Sequence, residues 1–298
     1  MLKTCVAIMA YNEEINIGHL LDALLKQELE TVSIAEIAIV ASGCTDRTEE
    51  IVQGYMAVDS RIKLYTQPNR EGKASAINLL LRHTRQEIVV LESADTIPGP
   101  NTIENLVAPF ADPSVGMTGG RPVPTNDSKQ FMGYMAHLLW NLHHRISLRQ
   151  PKMGELIAFR KIFRQIPYDS AVDEASIEPL IRGQGLILHY VPEAIVYNRG
   201  PETLSDFFKQ RKRIYAGHLY VQDTLGYKVS TMNGLRILPL FLAEMKQDHR
   251  HLLWGTAAIV LEAAVRLKGF TDYVIWKRKP FVWSISETTK ELVKIPQG

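Results

Sequence analysis

The fold of this chain is decided by the stretch Glu87–Asp95, which has the sequence EIVVLESAD. Its first part, Glu87–Leu91, is an apolar, β-branched run of the kind that forms a buried strand. The turn Thr96–Pro100 (TIPGP) follows and cannot continue a sheet. Asp95 is therefore predicted to lie just past the carboxyl end of a central strand, where open α/β sheets bind ligands. A carboxylate there can hold a hard divalent cation against a phosphate. The alternative is that Asp95 only caps the turn.

Three apolar runs upstream are predicted as strands, and a helical pattern follows each of them. They are Cys5–Ala10, Glu36–Val40 and Ile62–Tyr65. Strands alternating with helices at this spacing predict an α/β fold with a parallel, doubly wound sheet. Asn12, just after the first strand, is a candidate cap for the first helix.

The loops that follow these strands are predicted to line one edge of the sheet. They are Tyr11–Glu14, Ala41–Thr48 and Asn69–Lys73. Lys73 begins a helix, where its ammonium and the free N–H groups can meet a phosphate; the alternative is a solvated lysine. The chain has no GxGxxG motif after the first strand and no Walker A loop, so dinucleotide-binding and P-loop proteins are disfavoured.

The second half of the chain has two charged segments of interest. Asp173 and Glu174 begin a predicted helix, where acids are favoured by the helix dipole alone or could supply a general base. The predicted helix Phe207–Tyr220 carries Gln210-Arg211-Lys212-Arg213. These cations are either a solvated surface or a clamp on a departing diphosphate.

Two further features concern histidine and proline. His143 and His144 lie in a predicted helix, Ser128–Leu148, and adjacent helical residues do not share a face. Metal binding by this pair is therefore disfavoured. Pro192 is predicted to separate two strands, Ile187–Val191 and Ala194–Tyr197.

Composition narrows the class of protein. The chain has 298 residues, is 46% hydrophobic, and balances 34 basic against 32 acidic residues, so no nucleic-acid partner is expected. Cys5 and Cys44 form no disulfide framework, and Met1–Thr4 leads into a strand without a signal-peptide pattern. The run Leu252–Leu261 is shorter than the roughly 20 apolar residues of a membrane span. A cytoplasmic protein is predicted.

The last seventy residues have a helical pattern. Trp254, Trp276 and Trp283, with the basic run Lys277–Lys279, leave open a peripheral contact with the inner face of a membrane. The alternative is that these residues pack against the main domain.

Six short motifs occur in a characteristic order on this strand–helix pattern. They are AYNEE (10–14), GCTDRT (43–48), GKA (72–74), SAD (93–95), DE (173–174) and QRKRI (210–214). In these motifs the chain resembles the family 2 glycosyltransferases, a nucleotide-sugar group with the GT-A fold, over roughly residues 4–222. The resemblance implies one GT-A domain, with a nucleotide-sugar-binding half at 1–125 and an acceptor half at 126–225, followed by a helical extension at 226–298.

The resemblance also implies the roles of individual residues. The donor nucleotide sugar would contact a set spread over the chain: Ala10, Tyr11, Glu13, Ser42, Lys73, Ser93, Ala94, Gln210, Arg211 and Arg213. Asp95 matches the second acid of the D-x-D motif and would hold Mg²⁺ or Mn²⁺ on the diphosphate. Glu174 matches the usual general base, with Asp173 as the second candidate.

The implied reaction is a metal-assisted, inverting transfer to a hydroxyl on a glycan, a lipid-linked molecule or a small molecule. The resemblance does not specify which acceptor is used, nor the oligomeric state.

Three positions depart from the family pattern. No acid stands at Ala41-Ser42, where the family reads a uracil, so guanosine, thymidine and lipid-phosphate donors stay open. Ser93 replaces the first D-x-D aspartate, and the neighbouring Glu92 is a candidate to compensate. Ile214 replaces a tryptophan, which disfavours a processive polysaccharide synthase.

Two other classes of protein remain as alternatives. A nucleotidyltransferase also uses acidic metal sites on an α/β sheet, but it would need a glycine-rich basic loop where Tyr11–Glu14 is acidic. A binding protein that has lost its catalytic acids would explain Ser93. Metal-dependent hydrolysis of nucleotide sugars would separate such a binder from an active enzyme.

Overall fold

The computed structural model describes residues 1–232, 234–245, 249–277 and 287–290. Within these residues, one eight-stranded mixed sheet is flanked by helices. The strands are β1 (Leu2–Ala10), β2 (Val32–Ser42), β3 (Ile62–Gln67), β4 (Ile88–Ser93), β5 (Ile97–Pro98), β6 (Val115–Pro124), β7 (Ile157–Arg160) and β8 (Ile187–Asn198).

The described α-helices are α1 (Ile17–Leu25), α2 (Thr48–Val58), α3 (Lys73–His83), α4 (Thr102–Val107), α5 (Phe131–Ser147), α6 (Asp173–Arg182), α7 (Leu204–Leu225), α8 (Gly234–Met245) and α9 (His249–Phe270). Short 3₁₀ segments cover Ala108–Ala111, Ser230–Met232 and Glu287–Lys290, and a π-helical turn covers Thr271–Ile275.

The strand order across the sheet is β3-β2-β1-β4-β7-β6-β8-β5. The first four strands of the chain pair in parallel with one another, as do β6 and β8. β7 runs antiparallel to both of its neighbours, β4 and β6. The predicted α/β fold with a mostly parallel sheet is confirmed. Because β7 runs opposite to β4, the residues before β7 lie at the same edge as the residues after β4.

Both faces of the sheet are covered in its parallel part. Val6 and Ile8 of β1 belong to the apolar cluster that includes α1, and Cys5 and Ala7 belong to the cluster on α3. Successive strand side chains point to opposite faces, so a strand covered on both faces is apolar throughout. This explains the continuous apolar runs in the sequence.

The prediction that Asn12 caps the first helix is wrong. Helix α1 begins at Ile17 after Asn16, whereas Asn12 adopts a left-handed conformation with φ of 52°. Its Oδ1 accepts a hydrogen bond from the backbone N–H of Thr45 at 2.8 Å. Asn12 therefore ties the loop after β1 to the loop after β2.

The prediction of two strands around Pro192 is also wrong, because Ile187–Asn198 is one strand. Its pairing with β6 shifts register between Gly119 and Arg121. A proline, which lacks an N–H, is accommodated at such an irregularity because no regular ladder bond is lost.

The C-terminal helices pack on the main domain. The ring of Trp254 in α9 lies 5.9 Å from that of Phe131 and 5.4 Å from that of Tyr134, both in α5. Trp254 is thus part of an internal apolar cluster. The i,i+4 neighbours Glu262 and Arg266 form an ion pair at 3.1 Å.

The other residues quoted for a membrane contact are only partly described. Trp276 is 50% exposed, and Nζ of Lys268 lies 4.3 Å from its ring centroid. Trp283 and the pair Arg278-Lys279 lie outside the described residues. Of the helices that the structure describes, none has the length and apolar character needed to cross a membrane. The peripheral contact stays a prediction.

Candidate active site

A cavity of about 680 Å³ opens at the sheet edge where β1, β2 and β4 end. Parallel strands end at one edge of a sheet, so the fold gathers there residues that lie far apart in sequence. The cavity is lined by every residue that the sequence analysis assigned to the site: Ala10, Tyr11, Glu13, Ser42, Lys73, Ser93, Ala94, Asp95, Asp173, Glu174, Gln210, Arg211 and Arg213.

A glycine sets how closely the loops after β2 and β3 approach. Gly43 has φ of +68°, and a Cβ added to it would lie 2.5 Å from the backbone N of Arg70. Only glycine fits this conformation and this contact without strain. The close approach lets the Ser42 hydroxyl accept a hydrogen bond from the Glu71 N–H at 3.3 Å. Ser42 and Arg70 therefore lie together on the cavity wall.

Two cations lie near the ring of Tyr11 at one end of the cavity. The Arg70 guanidinium lies 4.4 Å from its ring centroid, and Nζ of Lys290 lies 5.4 Å from it. An aromatic ring flanked by cations can stack on a planar base and attract its polar edge. This end suits the base of a nucleotide.

Lys290 reaches this end from the last described segment of the chain. Its Nζ pairs with Glu13 at 2.7 Å and donates to the carbonyl of Asn12 at 3.0 Å. Burial raises the pKa of Glu13, and the Lys290 charge opposes that rise. Thr288 holds the segment in place by donating to Asp206 at 2.9 Å. Lys290 cannot be recognised from the sequence, because no motif surrounds it.

Asp95 and Ser93 lie on one wall of the cavity, and both are half-buried. Burial raises the pKa of Asp95 to about 6, and the negative charge of Glu13 adds to the rise. Hard divalent cations prefer carboxylate and hydroxyl oxygens, so this wall fits Mg²⁺ or Mn²⁺. Across the residues that the structure describes, no three His, Cys, Asp or Glu side chains form a metal site by themselves.

Glu92 does not replace the missing acid at Ser93. It follows Leu91 on the opposite face of β4, is only 1% exposed, and accepts a hydrogen bond from the Thr96 hydroxyl at 2.5 Å. Burial raises the pKa of Glu92 to about 8, so its carboxyl is largely neutral at pH 7. The expectation that Glu92 compensates for Ser93 is therefore wrong.

Glu155 is a cavity carboxylate that the sequence analysis missed. It precedes β7 and lines the cavity together with Ser93 and Asp95. Burial raises its pKa, Asp95 adds to the rise, and Lys73 opposes it. No motif marks Glu155, and only the pairing of β7 with β4 brings it to this wall.

Lys73 and Asp173 form an ion pair across the cavity, with Nζ 2.8 Å from Oδ2. Burial alone would lower the pKa of Lys73, but Asp173 and Glu155 outweigh it and raise that pKa above its ordinary value. Lys73 is therefore charged at every physiological pH. Asp173 is almost fully buried, and this contact holds it in place.

Glu174, the neighbour of Asp173, is half-buried at the start of α6. Burial raises its pKa to about 7, the charge of Asp173 adds to the rise, and Lys152 and Lys73 oppose it. A carboxylate with this pKa can take up a proton near neutral pH. Glu174 therefore gives the cavity a carboxyl that exchanges its proton near neutral pH.

Arg213 and Arg211 have different surroundings. Arg213 interacts with the cavity acids, among them Glu155 and Asp173, and these charges oppose the lowering of its pKa by burial. Arg211 donates two hydrogen bonds to Glu262 of α9, at 2.7 and 3.1 Å. The structure therefore places the Arg211 guanidinium in an ion pair with the C-terminal helices.

The two adjacent histidines have different partners. Nε2 of His143 lies 3.5 Å from the carbonyl of Met153, and burial lowers the pKa of His143 to about 3, so it is neutral. Nδ1 of His144 lies 2.9 Å from the hydroxyl of Tyr190. His143 lines the cavity and adds a neutral polar group to its wall.

The sheet topology, with the cavity at its carboxyl edge, defines a protein of the GT-A class. More particularly, the chain belongs to the family described as Glycosyl transferase family 2, whose family model matches residues 5–172, more than half of the chain.

Similar sequences include poly-β-1,6-N-acetyl-D-glucosamine synthase from Staphylococcus aureus (strain COL). It is 26% identical over 255 residues, which cover 80% of this chain and 60% of the synthase. The chain thus spans about 60% of the length of that relative. Glycosyltransferase GlyG from Streptococcus pneumoniae serotype 4 is 30% identical over 101 residues, or 34% of this chain and 33% of GlyG.

Solved structures share the fold. The mannosyltransferase PcManGT from Pyrobaculum calidifontis, in complex with GDP-Man and Mn²⁺, has a TM-score of 0.60 and 22% identity, covering 93% of this chain and 81% of its own. Glucosyl-3-phosphoglycerate synthase from Mycobacterium tuberculosis, in complex with Mn²⁺, UDP and phosphoglyceric acid, has a TM-score of 0.52 and 19% identity, covering 77% and 80%.

Proposed function

We propose that this chain is a glycosyltransferase that moves a sugar from a nucleotide-sugar donor to a hydroxyl acceptor with inversion. The observation that carries the proposal is the cavity itself, which combines Asp95, Glu174, Lys73 and Arg213 in one space. An oxygen ligand for a divalent cation, a base with a pKa near 7 and two cations are what such a transfer requires.

The donor base would lie at the Tyr11 end of the cavity. Tyr11 would stack on the base, while Ala10, Glu13 and Ser42 contact the nucleoside around it. No acid stands at positions 41 and 42 of the turn after β2, where the family reads a uracil, and Arg70 and Lys290 put positive charge beside Tyr11. A base that presents acceptor atoms at its edge, such as guanine, fits this charge as well as uracil does.

The donor diphosphate would lie between the start of α3 and the middle of α7. Lys73 and Arg213 supply positive charge, and Gln210 supplies an amide on the same wall. Asp95, with Ser93 and Ala94 beside it, would hold Mg²⁺ or Mn²⁺. Such a cation, when bound, neutralises charge that develops on a leaving diphosphate. Fixed charges of this kind contribute on the order of 10²–10³ in rate each.

Glu174 would take the proton of the acceptor hydroxyl. The hydroxyl oxygen forms a bond to the anomeric carbon, the bond from that carbon to the diphosphate breaks, and the electron pair leaves with the diphosphate. Asp173 is already paired with Lys73, so its role is to position the lysine and to tune Glu174.

The acceptor would enter past the apolar part of the cavity wall. Trp140 and Leu139 of α5 line this part, together with the neutral His143. A sugar ring can stack on such a wall. A glycan, a lipid-linked sugar or a small molecule fits it, and we propose a non-processive transfer because Ile214 replaces the family tryptophan.

The proposal is tested first by donor binding. UDP-glucose, UDP-N-acetylglucosamine and GDP-mannose are each added with Mn²⁺ while thermal unfolding is recorded. A donor at 100 times its dissociation constant adds about 2.7 kcal/mol to the free energy of unfolding. The donor that stabilises the chain is then used to measure release of nucleoside diphosphate.

Glu174→Gln is expected to bind this donor normally and to lose about 10²–10⁴ in turnover. Glu193→Gln is the matched control, because Glu193 is exposed and does not line the cavity. Turnover of Glu174→Gln within about threefold of wild type would rule out the proposed base.

A further inference from the structure

The strand pairing places an acid near the position where the family has its first D-x-D aspartate. β4 and β7 pair antiparallel, with Leu91 opposite Ile157. Ser93 ends β4 two residues after Leu91, and Glu155 lies two residues before Ile157 in the bend that leads into β7. Ser93, Asp95 and Glu155 line the same cavity.

The pleat of the two strands decides which side chains share the cavity. Side chains two residues apart in a strand point to the same face, so Leu91 and Ser93 both face the cavity. Ile157 of β7 and Glu155, in the bend before it, line the same cavity. Glu92 points to the other face and does not line the cavity. The acid that shares the cavity with Ser93 therefore comes from the segment before β7 and not from β4.

We propose that Glu155 supplies the second carboxylate of the divalent-cation site, in place of the aspartate that Ser93 replaces. This inference rests on the proposed function for the presence of the cation at Asp95. Two carboxylates and a hydroxyl from three positions on one wall form an oxygen donor set suited to Mg²⁺ or Mn²⁺. The two carboxylates also neutralise the double positive charge of the cation, which Asp95 alone does not.

The test measures binding of Mn²⁺ alone, without donor or acceptor, from the EPR signal of free Mn²⁺ during titration. Glu155→Gln is expected to weaken Mn²⁺ binding at least about tenfold. Even the loss of a group that only hydrogen-bonds to a metal ligand lowers metal affinity by this factor. Ser93→Asp is then added to Glu155→Gln. It restores the acid on β4 and is expected to bring the affinity back to within about threefold of wild type.

Glu92→Gln is the matched control, because it makes the same change next to Ser93 on the face of β4 away from the cavity. Its Mn²⁺ affinity is expected to stay at the wild-type value. A Glu155→Gln affinity within threefold of wild type would overturn the inference, as would a double variant that binds no tighter than Glu155→Gln.

The same titration separates this inference from the proposed reaction. If the chain binds Mn²⁺ through Glu155 but transfers no sugar, the cation site stands and the glycosyl transfer fails. If transfer depends on Glu174 while Glu155→Gln binds Mn²⁺ normally, the reaction stands and the role of Glu155 fails. Repeating the titration with UDP and with GDP shows which nucleotide completes the site.

Discussion

Nζ of Lys73 lies 2.8 Å from Oδ2 of Asp173, and this ion pair joins the first turn of α3 to the first turn of α6. Both charges act on the neighbouring carboxyl of Glu174. Asp173 raises the pKa of Glu174, and Lys73 opposes that rise. Burial is the largest cause of the raised pKa of Glu174, and the pair adds two opposing contributions to it.

Lys73→Met and Asp173→Asn are expected to shift the acidic limb of the pH profile of kcat/KM in opposite directions. Protonated Glu174 cannot act as a base, so kcat/KM falls below the pKa of about 7 in the free enzyme. Loss of Lys73 removes a charge that favours the carboxylate, so the limb moves to higher pH. Loss of the Asp173 charge moves it to lower pH. The pH profile of kcat/KM measures both shifts.

Lys129→Met serves as the control for these profiles, because Lys129 is exposed and does not line the cavity. Its acidic limb is expected to coincide with that of wild type. Shifts of the same sign in Lys73→Met and Asp173→Asn would contradict the proposed coupling to Glu174.

Asp95→Asn is expected to stabilise the chain at high pH while it removes function. The pKa of Asp95 is about 6 in the folded chain, against an ordinary value near 4. The folded state therefore holds this proton more tightly, and wild type loses stability as pH rises through 6. Asparagine carries no charge, so the variant avoids this loss, which is on the order of 2 kcal/mol once partial exposure is allowed for.

Thermal unfolding in EDTA at pH 4 and pH 8 checks this expectation. The two proteins are expected to unfold at similar temperatures at pH 4, and the variant at a higher temperature at pH 8. A variant that is less stable than wild type at pH 8 would mean that the Asp95 charge is well solvated in the fold.

The sequence predicted the parallel part of the fold because its signals are local. Strand β4 and the turn after it can be recognised from Ile88–Asp95 alone, and parallel strands end at one edge. The prediction that Asn12 caps α1 is wrong because an asparagine that caps a helix and one that links two loops cannot be distinguished by sequence. Only the contact of Asn12 with Thr45, a residue in a different loop, separates the two.

The missed site residues depend on contacts between distant segments. Glu155 reaches Ser93 because β7 inserts beside β4 in the opposite direction, and a four-residue strand gives little local sign of its direction. Lys290 reaches Glu13 from the far end of the chain. A lone acid or lysine carries no periodic signal, so a single sequence could not reveal these pairings.

Arg211→Gln and Arg213→Gln are expected to have different effects, although the two residues are neighbours in α7. Arg211 pairs with Glu262 at 2.7 Å, so its loss removes a link between α7 and α9. We expect Arg211→Gln to lower the free energy of unfolding by about 1–3 kcal/mol and to change the donor KM little. Arg213→Gln is expected to lower kcat/KM by about 10²–10³.

The charge state of Glu262 gives a second test of its ion pair with Arg211. Burial alone would raise its pKa, but Arg211 and Arg266 outweigh burial and lower it to about 2. The stabilisation is therefore present above the ordinary pKa of about 4 and is lost as pH falls towards 2. The stability difference between wild type and Arg211→Gln should shrink over that range. A large change in donor KM with unchanged stability would instead assign Arg211 to the donor.

Lys290→Met is expected to destabilise the chain through Glu13. The Glu13 carboxylate is nearly buried and pairs with Nζ of Lys290 at 2.7 Å, so the variant leaves a buried charge without its partner. The free energy of unfolding is expected to fall by about 2 kcal/mol, a value between those for exposed and for fully buried ion pairs. Glu13→Gln added to Lys290→Met removes the stranded charge and should recover most of the loss.

Urea unfolding of wild type, both single variants and the double variant gives the coupling energy of the pair. Lys228→Met, a change of an exposed lysine outside the cavity, is the control and should leave stability unchanged. Additive effects of Glu13→Gln and Lys290→Met would contradict the pairing. Because Glu13 is also a proposed donor contact, a bound donor either competes with Lys290 for this carboxylate or binds across both residues. Measuring the coupling energy again with bound nucleotide decides between these, since competition lowers it and bridging preserves it.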